Sequence, residues 1–320
     1  MKRRLARVYL PLMLAGTVAP PQAWPQNAVR GRTLSARLEA PRRNIKIDST
    51  VVLVSVSVMD ARGRFFTGLG RQNFQVFEER AAQTVAYFSV EEAPVSVGLV
   101  LDFSSSMAAK FSQLQQAVAE FLKGANPRDE FCLIEFRDRA QLSVGFTDAP
   151  EEIQNRVALT RPKGDTALLD AVYLGLLQMK KARNSRKILL IVSDGGDNHS
   201  RYRAHEVENL ARESDAEIYA IGIGESTVHP AYDQADGPAL LGELAEEAGG
   251  RCYQVDHPRD LPAVAEKIGR ELRHQYVLGY VPSNRQHDGR YRHIQVKVAR
   301  APGQPRLSAY WKHGYYAPVD

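Results

Sequence analysis

Cysteine is scarce in this 320-residue chain: only two occur, Cys132 in "EFCLIEF" and Cys252 in "GGRCYQVD". Neither belongs to a C-x-x-C pair and no H-E-x-x-H run occurs, so the common thiolate and imidazole zinc motifs are missing. Also missing are a G-x-S-x-G elbow, a Walker glycine loop and a G-x-G-x-x-G turn. Those absences take away the usual signs of a serine hydrolase, a phosphate-loop NTPase and a dinucleotide enzyme. A phosphatase built on Asp102 would read D-x-D-x-T, whereas position 104 is serine. No repeat or low-complexity tract is present.

Near the N-terminus, the apolar run "VYLPLMLAGTVA" is too short to span a bilayer as a mature helix. It follows Lys2, Arg3, Arg4 and Arg7 and leads into small residues with Pro and Gln, the layout of a secretory signal. Residues 1–25 are therefore expected to be a signal peptide and 26–47 a linker; the competing reading is an uncleaved membrane anchor. Without those four basic residues the formal charge falls from +5 to +1. Basicity is thus mostly a targeting feature, and no nucleic-acid partner is expected. The expected location is outside the cytoplasm: periplasm, cell envelope or medium.

Beyond the linker, two patterns alternate. The runs "VGLVLD", "EFCLIEF", "KILLIVSD", "AEIYAIGIG" and "RCYQVD" are continuously apolar, as strands covered on both faces are. Between them, Phe111, Leu114, Val118, Phe121 and Leu122 share one helical face, as do Leu168, Leu169, Val172, Leu176 and Leu177. Repeated strand–helix–strand order predicts an α/β, doubly wound, mostly parallel sheet over 93–274, with "QLSVGFTD" as an antiparallel edge.

The flanks instead alternate with period two: Val52, Val54, Val56 and Val58 on one side, then Ile294, Val296 and Val298 after the last helix. About four strands precede the α/β unit and three follow it. Each flank is too small to hold a core alone. Residues 48–92 and 275–320 are therefore expected to form one discontinuous β-sandwich, with the α/β unit inserted in it. Tyr276, Tyr280, Tyr310, Trp311, Tyr315 and Tyr316 are expected to pack that sandwich.

Strand C-termini are where such a sheet builds its sites. Here they carry Asp102, Ser104 and Ser106 in "DFSSSM", Thr166 in "KGDTALLDA" and Asp194 in "VSDGGDN". All are hard oxygen donors, which suits Mg2+, Mn2+ or Ca2+ and excludes zinc or copper. Two carboxylates nearly balance a divalent charge, and an open position would attract an anion. Taken singly, each motif also reads as an N-cap or a turn. Asp165, Asp197 and Asn198 are candidates for an outer shell, with capping or solvation as the alternative. His199, His205, His229 and His257 lack metal-type spacing and read as solvated.

In this order and spacing, "DFSSSM", "GDTALLDA" and "LLIVSDGGDN" resemble the metal-ion-dependent adhesion site of von Willebrand factor A domains. "FQVFEE" and "HGYYAP" resemble the flanks of a bacterial group of exported proteins related to that family. Phe103 and Ser105 depart from the pattern, standing where smaller residues are common. The resemblance implies that Ser104, Ser106 and Thr166 coordinate the metal directly, while Asp102 and Asp194 do so directly or through water. It implies a strand order 3-2-1-4-5-6 as well, which holds Cys132 and Cys252 apart as two free, buried thiols. The function implied is non-enzymatic: metal-dependent capture of an Asp or Glu on a partner protein, with no small-molecule substrate. The alternatives are a structural envelope subunit whose metal staples loops together and, less favoured, a metal-dependent hydrolase.

Overall fold

The computed structural model describes residues 51–62, 64–90, 94–224, 237–300 and 306–319. The signal-peptide and linker expectations, and His229, lie outside them. The N-terminal flank forms β1 (Val52–Asp60), β2 (Phe74–Glu78), β3 (Ala81–Gln83) and β4 (Val85–Ser89). The α/β unit runs β5 (Val95–Asp102), α1 (Phe111–Leu122), β6 (Glu130–Phe136), β7 (Ala140–Thr147), α2 (Pro150–Leu159) and α3 (Leu168–Met179). It continues through β8 (Arg186–Ser193), α4 (Ala204–Glu213), β9 (Ala216–Ile223), α5 (Gly237–Glu247), β10 (Arg251–Val255) and α6 (Leu261–Arg273). The C-terminal flank adds β11 (Tyr276–Tyr280), β12 (Tyr291–Val298), β13 (Leu307–Trp311) and β14 (Gly314–Tyr316).

The central sheet has the order β10-β9-β8-β5-β6-β7, which is the 3-2-1-4-5-6 arrangement read from its other edge. All neighbours are parallel except β6 and β7, so "QLSVGFTD" is the antiparallel edge. Period two sorts the strands' residues onto two cores. Val97, Leu99 and Leu101 face a cluster with Leu114 and Phe121 of α1, Ile153 of α2 and Leu261 and Ile268 of α6. Val100, Cys132 and Ile134 face Leu168 and Val172 of α3, Val207 of α4 and Leu241 of α5. Leu177 is only half-buried; Met179 fills the α3 core position instead.

The flanks build two four-stranded antiparallel sheets, β13-β1-β11-β4 and β14-β12-β2-β3, each drawing strands from both ends of the chain. Val52 pairs with Tyr280 and Val56 with both Tyr276 and Trp311. Val76 pairs with Val296 in the second sheet. Between the sheets, the four β1 valines pack with Phe74, Val76, Tyr276, Tyr280, Ile294 and Val296. The mostly parallel sheet is thus inserted in a β-sandwich made of both flanks.

Two details depart from expectation, and a third joins the sandwich to the α/β unit. The C-terminal flank holds four strands, because "RLSAYWKHGYY" breaks at Lys312 and His313 into β13 and β14. Tyr310 and Tyr316 are more than a third exposed, since both strands lie at sheet edges. Ser57 and Met59, on the face of β1 opposite the valines, are buried, and they border the α/β unit. There Gln275 donates to Ser57 Oγ (3.0 Å) and Tyr219 Oη (3.2 Å), while Arg186 donates to Gln275 Oε1 and the Leu272 carbonyl.

The two cysteines are unpaired. Cys132 on β6 and Cys252 on β10 are four strand spacings apart, roughly 19 Å, far beyond disulfide reach. Cys132 is buried, and burial pushes its thiol up to about 12. Cys252 lies on an edge strand and is half-buried, not fully buried as expected. Native alkylation should therefore leave Cys132 untouched until the protein is denatured, and the intact mass should match two free thiols. A mass two daltons lower would contradict this strand order.

Candidate metal centre

Parallel pairing of β5 with β8 sets Leu101 beside Val192, so both strands deliver their next residues to one end of the sheet. Asp102 is completely buried there. Its Oδ1 accepts the Ser104 N–H (2.8 Å) and its Oδ2 accepts the Ser193 hydroxyl (2.6 Å). Ser104 is buried, Ser106 is exposed at the rim, and their Oγ atoms lie 3.0 Å apart. Phe103 points away into the core and meets Phe111 edge-on. Asp102 and both serines thus sit on the turn after β5, and Asp194, directly after Ser193, reaches the end of that turn through Lys110.

The loop carrying Thr166 is tied to the same turn by backbone bonds. Ser105 N–H donates to the Gly164 carbonyl (3.0 Å) and Lys163 N–H to the Phe103 carbonyl (2.8 Å). Gly164 sits at φ +82°, and a Cβ there would lie 2.5 Å from the Asp138 carboxylate. That carboxylate instead accepts the Asp165 N–H (2.8 Å), so this tight turn requires glycine. Thr166 is buried; its N–H donates to Asn198 Oδ1, and its carbonyl accepts the N–H groups of Asn198 and His199. The turn after β5, the loop between α2 and α3 and the segment after β8 are therefore bonded to one another beside Asp102. Thr166 stands on that helix–helix loop, not at a strand C-terminus as expected, because α2 intervenes between β7 and α3.

The outer candidates have defined tasks. Asp197 accepts the Leu168 N–H at the start of α3, and burial raises its carboxyl above the ordinary value. Asn198 caps Thr166. Asp165 is exposed, with His199 Nδ1 3.6 Å from its carboxylate. Asp197 and Asn198 thus hold the loops through these bonds, and Asp165 flanks them.

Four contributors were not singled out in the sequence. Ser193 fixes Asp102, and Asp138 holds the Gly164 turn. Asp170 accepts the N–H groups of Arg201 and Tyr202 and so anchors the segment after Asp194. Lys110 reaches Asp194, with Nζ 2.7 Å from Oδ2. Ser193 had a usable signal, as it directly precedes Asp194 on a strand in register with β5.

The donor chemistry fits a hard divalent cation. Burial, above all, pushes the Asp102 carboxyl up to about 6; the Ser104 and Ser193 hydrogen bonds oppose this, and the Asp194 charge adds to it. A carboxylate so deeply desolvated is costly to ionise alone, and a divalent ion offsets that cost. Among the described residues, no group of three or more His, Cys, Asp or Glu side chains is arranged to hold a metal. The donors at this end are two carboxylates supplemented by hydroxyls.

Residues 97–196 match the family model of the von Willebrand factor type A domain, and the mostly parallel sheet with its helical layers has that fold. Among curated proteins, the chain is similar to heavy chain 4 of mouse inter-alpha-trypsin inhibitor, with 26% identity over 55% of this chain and 20% of that one. It is also similar to an uncharacterized protein of Borreliella burgdorferi, with 24% identity over 51% of this chain and 54% of that one. The chain thus spans from a fifth to about half of the length of these relatives. Among solved structures, proximal thread matrix protein 1 of the mussel byssus, with a zinc-occupied MIDAS motif, is 18% identical. That comparison covers 61% of this chain and 49% of the other, with a TM-score of 0.47.

Proposed function

We propose that this chain is an exported adhesion or scaffold module that binds a partner protein through a divalent cation, and that it is not an enzyme. Asp102, Ser104, Ser106, Thr166 and Asp194 would hold Mg2+, with Mn2+ or Ca2+ as alternatives. The observation that carries the reading is the convergence of the Asp102, Thr166 and Asp194 loops around a buried, desolvated carboxylate. When bound, the ion would supply positive charge to an incoming carboxylate, the side chain of Asp or Glu on the partner. The chain's own residues position the donors and keep Asp102 out of water.

A purely structural metal is the second reading, and one observation weighs against it. The loops are already joined by backbone hydrogen bonds from Ser105, Lys163, Asn198 and His199, so no metal is needed to hold them. Among the described residues, no helix is long and apolar enough to cross a membrane. The test is a pull-down from cell envelope and culture fluid, run in Mg2+ and in chelator. A partner retained in both conditions would leave the metal no part in capture.

A further inference from the structure

We infer that Lys110 is a tethered competitor of the divalent ion: its ammonium neutralises Asp194 in the metal-free protein and must yield when metal binds. This rests on the metal-site reading above. Lys110 closes the 3-10 turn Ser105–Lys110, which begins between the two candidate serine ligands. The turn is pinned by the Met107 N–H to the Ser104 carbonyl and by the fully buried Met107 side chain. The lysine backbone therefore stays beside the site, and only its four-carbon stem has to swing for the ammonium to leave Asp194.

The contact is not an ordinary surface ion pair. Nζ lies 2.7 Å from Asp194 Oδ2, and the two side chains are only 23% and 11% exposed. A charge-assisted bond in such partial burial is shorter and stronger than a solvated pair. With Lys110 in place, the two candidate carboxylates carry a net charge of one instead of two. An incoming ion then meets half the attraction, and a positive charge bonded to one of its ligands. Lys110 thereby sets how much divalent ion the site requires, tuning metal affinity without being a ligand.

The test is calorimetric titration of the full chain with Mg2+, and separately with Mn2+, for wild type, Lys110→Met, Lys110→Arg and Lys187→Met. Lys187 makes an equally short bond to Asp215 at the opposite end of β8, so it controls for loss of charge alone. Lys110→Met is expected to bind Mg2+ about tenfold more tightly, with the arginine and Lys187 variants near wild type. The metal-free melting temperature of Lys110→Met should fall, so its gain on adding Mg2+ should exceed that of wild type. Unchanged or weaker binding by Lys110→Met, with wild type still binding, overturns the competition and leaves the metal site standing. No binding by either protein overturns both.

Discussion

Asp102→Ala is expected to weaken Mg2+ binding by at least about 100-fold while the protein stays folded. Outer-shell changes at metal sites already cost roughly 10- to 100-fold, so a ligand held directly or through one water should cost at least as much. It supplies one of two carboxylates and, through Ser104 and Ser193, aligns the turn and the end of β8. The fold should survive for two opposing reasons. Losing the acceptor strands the Ser104 N–H and the Ser193 hydroxyl, at about 1–3 kcal/mol each. Removing a buried carboxylate also relieves its desolvation, which is what raises its pKa to about 6. The net change should stay well inside the 5–15 kcal/mol typical of a domain. Calorimetry with Mg2+ and thermal melting in chelator check both halves. Binding at wild-type strength would remove Asp102 from the site, and a variant without a cooperative melt would make its role structural.

Deleting residues 275–320 should unfold the N-terminal flank and spare the α/β unit. Truncation takes away β11 and β13, both hydrogen-bonded neighbours of β1, and β12, the partner of β2. It also strips Tyr276, Leu278, Tyr280, Ile294 and Val296 from the sandwich core. Val52, Val54, Val56 and Val58 would then face water, at roughly 1.5–3 kcal/mol each, a sum comparable with a whole domain's stability. The α/β unit keeps both of its own cores. Limited proteolysis should cut within 51–90 and leave a resistant fragment beginning near residue 94. Continued protection of 51–90 would show that this flank is held by the α/β helices.

Much of this architecture was legible because period reports environment. Continuous runs such as "KILLIVS" lie between two helical layers, and the alternating valines of β1 face a single core. Period does not say what touches what. Lys110 meets Asp194 across 84 positions and Ser193 meets Asp102 across 91, so both contacts follow from the parallel register of β5 with β8. The Asp138 and Asp170 carboxylates likewise serve backbone groups of loops far away in sequence. Nor does period say what covers the other face: Ser57 is buried where the sheet meets Gln275. The donor types at the strand ends were visible from the start, whereas the lysine among them became visible only through the fold.

The pairing of Val52 with Tyr280 also constrains the order of events when the chain folds. Closing so long an unstructured loop is slow, because its entropy must be lost before any sheet contact repays it. If the α/β unit folds first, β5 and α6 become fixed ends and the long loop is replaced by a compact body. The sandwich then has only two short tails to bring together. For a chain emerging in sequence, β1 must wait, its valines uncovered, until nearly everything after it has appeared. Newly made protein would pass through a state with a finished α/β unit and an exposed strand edge, the state in which it is most open to aggregation or chaperone capture.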